Sequence, residues 1–504
     1  MKCPKCGGEI DIVQKKVGVD TIRILLFCKK CGYYQEITAR RKKKQKTSTT
    51  TQIKITQQIK PITKIPPDSP EPIKFVFELS RQYEDVFIPI HITSLYDEPP
   101  RYGCEISQDS LTNLGFDRDL ALKLSSLLKN RGISRLYKYQ ERAIKGILSG
   151  NDVIIVAQTA MGKTEAFLLP SLQIAKKRAD SRPAILAIYP TKALARDQLD
   201  KFRYYAEPIG LRVAVLDGDT PWGERRKILE NPSNILITNF DMIHYWLPRR
   251  VKRARGIASL FLSPQVIIID EAHAYNGAFG SHVHYILKRL AKIVEKYGGK
   301  IQYVLSSATI LNPKEFGSTL TGRDVKVIQG KGSRTSLMVL FLYSMEPPFK
   351  TIARLLMELV NNRIKTLAFL NTRSQAELTY NAIRRTRRYE VMQRIDMHRA
   401  GIPAGLRKKI ENGFKKDTIL GLVSTPTLEL GIDIGNVSSV ISMLTPVDRF
   451  IQRSGRAGRR GRPGTAILIL RSDDPISEYY AFNPNEYFKA VSYTHLTLPT
   501  TERV

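Results

Sequence analysis

A glycine, a lysine and a threonine in tandem, set behind a short apolar run, are the residues of this chain best suited to hold a phosphate. Val153–Val156 reads as a strand, and Ala157-Gln158-Thr159-Ala160-Met161-Gly162-Lys163-Thr164 follows it, with Ala157 where such loops usually carry a glycine. Gly162 lets the backbone approach an anion, and the N–H groups opening the next helix point at it. In a loop of this kind, which includes Thr159, Lys163 reaches the β- and γ-phosphates of ATP and Thr164 holds Mg2+. Upstream, Tyr139-Gln140 stands just before a helix, at the spacing of a glutamine that reads adenine. Downstream, the apolar run Val266–Ile269 ends in Asp270-Glu271-Ala272-His273. An acidic pair at the carboxyl end of a strand can hold Mg2+ with its first member and orient an attacking water with its second. Alone, that pair could be a solvated acidic turn. The phosphate loop ahead of it favours the catalytic reading.

Four of the five cysteines pair by spacing: Cys3 and Cys6 in CPKC, Cys28 and Cys31 in CKKC, each pair followed by a glycine. Two such knuckles joined by a hairpin of strand formers (Asp11–Val13, Ile22–Phe27) supply four thiolates for a closed structural Zn2+ site. A module of about 35 residues buries too little core to fold unaided, so the metal would supply its folding energy. Two disulfides are the alternative, and they fit poorly with the cytoplasmic setting expected of a chain that opens without an apolar signal segment. Cys104 is left over and reads as an ordinary small buried residue.

The 504 residues carry 80 Lys and Arg against 47 Asp and Glu, a net charge of +33. An excess this large favours a polyanionic partner, nucleic acid above all, over a merely solvated basic surface. The apolar fraction of 42% is enough for packed cores and excludes global disorder. No apolar run approaches the ~18 residues that cross a bilayer, and no long basic amphipathic helix stands out that would favour a membrane surface over nucleic acid.

The elements that position these residues alternate. Val153–Val156, Ile185–Tyr189, Val213–Leu216, Ile235–Thr238, Val266–Ile269 and Tyr303–Leu305 are strand candidates separated by amphipathic helical stretches. A second run has Thr366–Leu370, Ile419–Val423, Val437–Met443 and Ala466–Leu470. Such alternation predicts α/β architecture with two parallel sheets and right-handed crossovers. The expected organisation is a zinc ribbon over 1–36, a flexible basic linker over 37–72 and an extension over 73–109 packing on the domain that follows. A nucleotide-binding domain over 110–332 and a second α/β domain over 333–490 complete it. Within the extension, Phe75-Val76-Phe77 and Val86-Phe87-Ile88 read as strands.

With these motifs in order, the chain resembles a superfamily 2 DExH helicase over about residues 110–472. The DEAH box at Asp270–His273 is followed by Ser307-Ala308-Thr309, and Tyr189-Pro190-Thr191-Lys192-Ala193-Leu194 resembles motif Ia. Phe369-Leu370-Asn371-Thr372-Arg373 resembles motif IV, Thr425 with Leu430-Gly431-Ile432-Asp433 motif V, and Gln452 to Arg459 (QRSGRAGR) motif VI. The stretch following Asp270, with Gly218-Asp219-Thr220-Pro221 and His398-Arg399-Ala400-Gly401, is most similar to the branch holding the RecQ-four-related fungal and bacterial mitomycin-repair helicases, and to the neighbouring Lhr-type enzymes. The zinc ribbon and the lack of those relatives' C-terminal extension depart from that branch.

The resemblance implies two RecA-like domains with ATP in the cleft between them and a nucleic-acid strand across their upper face. Arg456 and Arg459 would act as arginine fingers, Gln452 would face the γ-phosphate or lytic water, and Asp433 would join the nucleotide site. His273, Ser307 and Thr309 would couple phosphate state to domain closure. Thr191, Lys192, Thr238, Arg373 and Thr425 would contact the strand's backbone, fixing register without reading sequence. The expected activity is an ATP-dependent DNA helicase or translocase moving 3′ to 5′, acting as a monomer in DNA repair or processing. An RNA helicase, or a zinc-ribbon scaffold with ATP-switched affinity, are the competing readings. The final stretch, Val491 to Val504, continues no helical or strand period and resembles translated sequencing-adapter DNA, so it is expected to be foreign to the natural protein.

Overall fold

The computed structural model describes residues 10–16, 21–28, 34–40 and 59–489, except 96–97, 159–160, 179–181, 251–255, 309, 311, 332–335, 430–433 and 459–462. The chain divides into a unit over 1–60 and a larger one over 61–504. In the first, Ile10–Lys16, Thr21–Cys28 and Tyr34–Arg40 form an antiparallel meander, pairing Ile10 with Cys28 and Phe27 with Tyr34. Cys3, Cys6 and Cys31 lie outside the described residues, as do residues 41–58 of the expected linker and the tail from Val491.

The larger unit holds two seven-stranded sheets. From edge to edge the first runs Lys326–Gln329, Val153–Val156, Gln302–Ser307, Val266–Ile269, Ile185–Ile188, Ile235–Thr238 and Val213–Val215, all parallel. Helices cover both faces, so the central strands read as unbroken apolar runs; all four residues of Val266–Ile269 are fully buried. The second sheet runs Ile395–His398, Gly421–Ser424, Thr366–Phe369, Ser439–Met443, Gly464–Arg471, Leu337–Ser344 and Phe87–Leu95. Its first six strands are parallel and the last is antiparallel. Two α/β domains of RecA type with largely parallel sheets therefore make up the larger unit. No helix of the described residues is long and apolar enough to cross a membrane.

The extension departs from expectation twice. Phe75-Val76-Phe77 lies in a helix, Glu71–Gln82, whose Ile73, Val76, Phe77 and Ser80 are buried along one stripe. A three-residue apolar run cannot tell strand from helix; the wider 3, 4 spacing does. The extension also divides between the two domains: Tyr102–Glu105 pairs with Arg135–Tyr137 of the domain that follows and Ile106 enters its core, but the earlier part goes elsewhere. Phe87–Leu95 pairs with Leu337–Ser344 at the edge of the second sheet, and Ile73, Val76 and Leu79 pack with Leu340, Leu342, Ile352 and Leu356. Pro89, which cannot donate a ladder hydrogen bond, is tolerated there because the strand is an edge.

Candidate nucleotide-binding site

The phosphate loop turns at Gly162, whose φ of 77° is left-handed and which caps the helix Lys163–Lys176. A Cβ at this position would come within 2.7 Å of the Gln140 Nε2, so both backbone and space require glycine. Gln140 is buried; its Oε1 accepts from the Tyr137 N–H at 2.9 Å and its Nε2 donates to the Gly162 carbonyl at 2.8 Å. The Tyr139 hydroxyl donates to the Met161 carbonyl at 2.5 Å. The Tyr139-Gln140 pair thus clamps the loop from the helix Lys138–Leu148. Lys163 Nζ lies across the loop, donating to the carbonyls of Ala157 (2.8 Å) and Gln158 (3.2 Å). Burial pushes its pKa down, while the charges of Glu271 and Asp270 pull the other way. Thr164 is the second residue of the helix; Thr159 lies outside the described residues.

Asp270 and Glu271 leave the strand Val266–Ile269 beside this lysine. The Asp270 carboxylate accepts from the Glu271 N–H at 2.9 Å, and Glu271 takes a left-handed φ of 50°. Such a conformation costs a non-glycine residue about 1 kcal/mol. Burial, reinforced by the Glu271 charge, pushes the Asp270 carboxyl up to about 6, against the pull of Lys163. A buried carboxyl this reluctant to ionise fits a divalent cation, which would supply the missing positive charge. His273 Nδ1 lies 3.0 Å from the Ser307 Oγ and 3.5 Å from Glu271 Oε2, joining the DEAH strand to its neighbour. Burial lowers the His273 pKa, opposed first by the Glu271 charge and last by Gln452 of the second domain. Thr309 lies outside the described residues.

The helix Val447–Ser454 carries Gln452 and Arg453 to the cleft. Arg453 is fully buried: its Nε donates to Glu429 Oε1 at 2.5 Å, and its Nη1 to Asn371 Oδ1 and Ser442 Oγ, each at 3.0 Å. It therefore holds the domain's motifs together from within, where no polyanion can reach it. Arg456, also buried, donates from Nη2 to the Glu429 carbonyl at 2.7 Å, and its charge is felt at Lys163. Glu429 thus sets both arginines, by side chain and by backbone. It went unread in the sequence, although an acid inside the otherwise apolar Leu428–Ile432 stretch is a signal that a buried cation needs a partner. Arg459 and Asp433 lie outside the described residues.

The expected strand contacts divide. Thr191 caps the helix Lys192–Ala206, accepting from the Leu194 N–H at 3.3 Å, and Lys192 Nζ pairs with Asp219 Oδ1 at 2.7 Å. Arg373 opens the helix Arg373–Arg385 and is exposed. Thr238 corrects the expectation: it is fully buried and its hydroxyl donates to the Leu216 carbonyl at 2.8 Å, so this side chain cannot touch a strand. Thr425, nearly buried, lies 3.4 Å from the Thr427 hydroxyl. Among the described residues no group of three or more His, Cys, Asp or Glu could hold a metal on its own.

Comparison with known proteins agrees with this geometry. Residues 137–316 match the DEAD/DEAH box helicase family and residues 348–461 the helicase conserved C-terminal domain, together more than half of the chain. An uncharacterized ATP-dependent helicase of Methanocaldococcus jannaschii is 33% identical over 81% of this chain and 59% of its own length. The DUF1998 helicase MrfA bound to DNA and AMPPNP superposes with a TM-score of 0.71 at 29% identity, over 82% of this chain and 57% of that one. The Mycobacterium smegmatis helicase Lhr bound to ssDNA and AMP-PNP gives 0.59 at 25% identity, over 69% and 47%. The chain spans about half the length of these relatives. With the phosphate loop and DEAH box in one domain and the QRSGRAGR helix in the next, the chain belongs to the superfamily 2 DExH/DEAH helicases, related to the DUF1998 and Lhr types, and carries that family's ATP-hydrolysing domain pair.

Proposed function

We propose that this chain is an ATP-driven translocase that moves 3′ to 5′ on single-stranded DNA and separates tailed duplexes in DNA repair or processing. The observation that carries the reading is the meeting, in one cleft, of Lys163, Asp270, Glu271 and His273 from the first domain with Gln452 and Arg456 from the second. Lys163 would leave the loop carbonyls for the phosphates, and Glu271 would orient the attacking water and take its proton. A Mg2+ held by Thr164 and Asp270 would offset charge on the phosphate oxygens. Arg456, with Arg459 beside it in sequence, would stabilise charge on the transferring phosphoryl group. The His273–Ser307 contact and the approach of Gln452 would transmit the site's occupancy to domain closure. Thr191, Lys192, Arg373 and Thr425 are the candidates at the strand, reaching it by backbone as much as by side chain. The DNA-bound relatives support DNA over RNA, and the stretch after the DEAH box supports the RecQ-four-related branch. The Cys3, Cys6, Cys28 and Cys31 spacing supports one structural zinc in the first unit. Strand displacement on 3′-tailed and 5′-tailed duplexes tests the reading. Displacement is expected from the 3′-tailed DNA only; unwinding of RNA alone, or from 5′ tails alone, would overturn it.

A further inference from the structure

Both tryptophans of the chain, Trp222 and Trp246, lie in one surface patch of the first domain, toward the opposite edge of the sheet from the strand that leads into the phosphate loop. Trp222 opens the helix Trp222–Glu230, in which no residue is buried, and is itself 69% exposed. The helix meets the core only through the half-buried Ile228 and Leu229, and an indole this open is out of place on an ordinary surface. Yet the ring is held. The Arg225 guanidinium lies over it at 5.0 Å, and Trp246 meets it edge-on at 6.2 Å and 88°. Arg225 is fixed in turn, donating from Nε to the Thr220 carbonyl at 2.8 Å and from Nη2 to the carbonyls of Asp217 and Gly218, each at 3.1 Å. Lys192 reaches the same loop through Asp219. The loop follows Val213–Val215, the edge strand, at the carboxyl ends of the parallel strands, where open α/β sheets bind their ligands.

We propose that Trp222 is a stacking platform for one base of the single strand, with Arg225 and Trp246 holding the indole in place. The proposal rests on the translocase reading and adds to it a base contact to the backbone contacts expected elsewhere. An aromatic face backed by a cation suits a base of any identity, because every base has a π-face. Charge favours the same occupant: on the helix Arg225, Arg226 and Lys227 outnumber Glu224 and Glu230. A protein partner's apolar side chain would be the other occupant of an exposed tryptophan, and it gains nothing from that charge.

The chain reports on the patch itself, since these are its only two tryptophans. Intrinsic tryptophan emission would be followed while the full chain is titrated with an oligothymidylate and with an abasic oligomer of equal length. Binding would be read separately from the anisotropy of end-labelled strands. The expected result is quenching by the oligothymidylate but not by the bound abasic strand. Trp222→Ala should weaken oligothymidylate binding about tenfold, and Trp222→Phe, which keeps a stacking face, should stay within about threefold of the original. Emission that is unchanged while the oligothymidylate binds and stimulates ATP hydrolysis would overturn the platform alone. So would equal affinity in Trp222→Ala, which would leave the patch to a protein partner. If no strand binds or stimulates hydrolysis, the translocase reading falls and the platform falls with it.

Discussion

Asp270 and Glu271 are held in a state that costs the nucleotide-free protein stability. The Asp270 carboxyl titrates near 6 in the fold but near 3.8 when the chain is open, so between those values the folded state binds more protons. Stability therefore falls as pH rises from about 4 to about 6, and stays reduced above it. Asp270→Asn removes that penalty: in chelator, its melting temperature should exceed the original's at pH 8 by a few degrees, with the gain vanishing toward pH 4. A gain independent of pH would show that burial of the carboxylate is not its source. Glu271→Gln keeps the shape and deletes the base, so ATP binding should be nearly intact while turnover falls by about 100-fold or more. Lys163→Ala should instead weaken binding, read by displacement of a fluorescent nucleotide. Gly162→Ala combines a left-handed backbone with a collision against Gln140, and should lose about 1–2 kcal/mol of stability along with nucleotide affinity.

At the scale of elements, the Arg453–Glu429 pair decides whether the second domain's motifs stand in register. Breaking a buried pair leaves a charge without a partner, so Glu429→Ala should destabilise that domain by about 3 kcal/mol. It should also lower nucleic-acid-stimulated turnover, because Arg456 loses part of its support; circular-dichroism melts and ATPase rates measure the two effects. This pair also shows where sequence reading stops. Gly162, Lys163 and the DEAH box were legible because their spacing along the chain is the chemistry, and most parallel strands because burial on both faces leaves unbroken apolar runs. Glu429 was not, because its partner is 24 residues away and only packing joins them. Thr238 looked like a surface contact because sequence does not reveal depth. Phe87–Leu95 was legible as a strand, but its partner Leu337–Ser344 lies some 250 residues on, and nothing local names that pairing. Removing residues 61–95 should therefore expose the buried strand Leu337–Ser344 and yield aggregates, whereas removing 1–60 should leave the motor folded.

Across the whole molecule, the chain begins its larger unit on the second sheet, crosses to build the first, and returns at Leu337. The first 60 residues carry 15 Lys and Arg against 4 Asp and Glu, a third of the chain's net charge of +33. Removing residues 1–60 should weaken DNA binding and flatten its dependence on salt while sparing hydrolysis without DNA. Metal analysis of the full chain should find about one zinc, released when any of Cys3, Cys6, Cys28 or Cys31 is replaced. The central claim is that one ATP site is shared by two domains and answers to a strand lying on both. Steady-state ATP hydrolysis with and without saturating single-stranded DNA tests it most directly, in the original chain and in Arg456→Ala. The account predicts strong stimulation by DNA in the original and its near-complete loss in Arg456→Ala, whose phosphate loop and DEAH box are untouched. Hydrolysis by Arg456→Ala at the original, DNA-stimulated rate would contradict it.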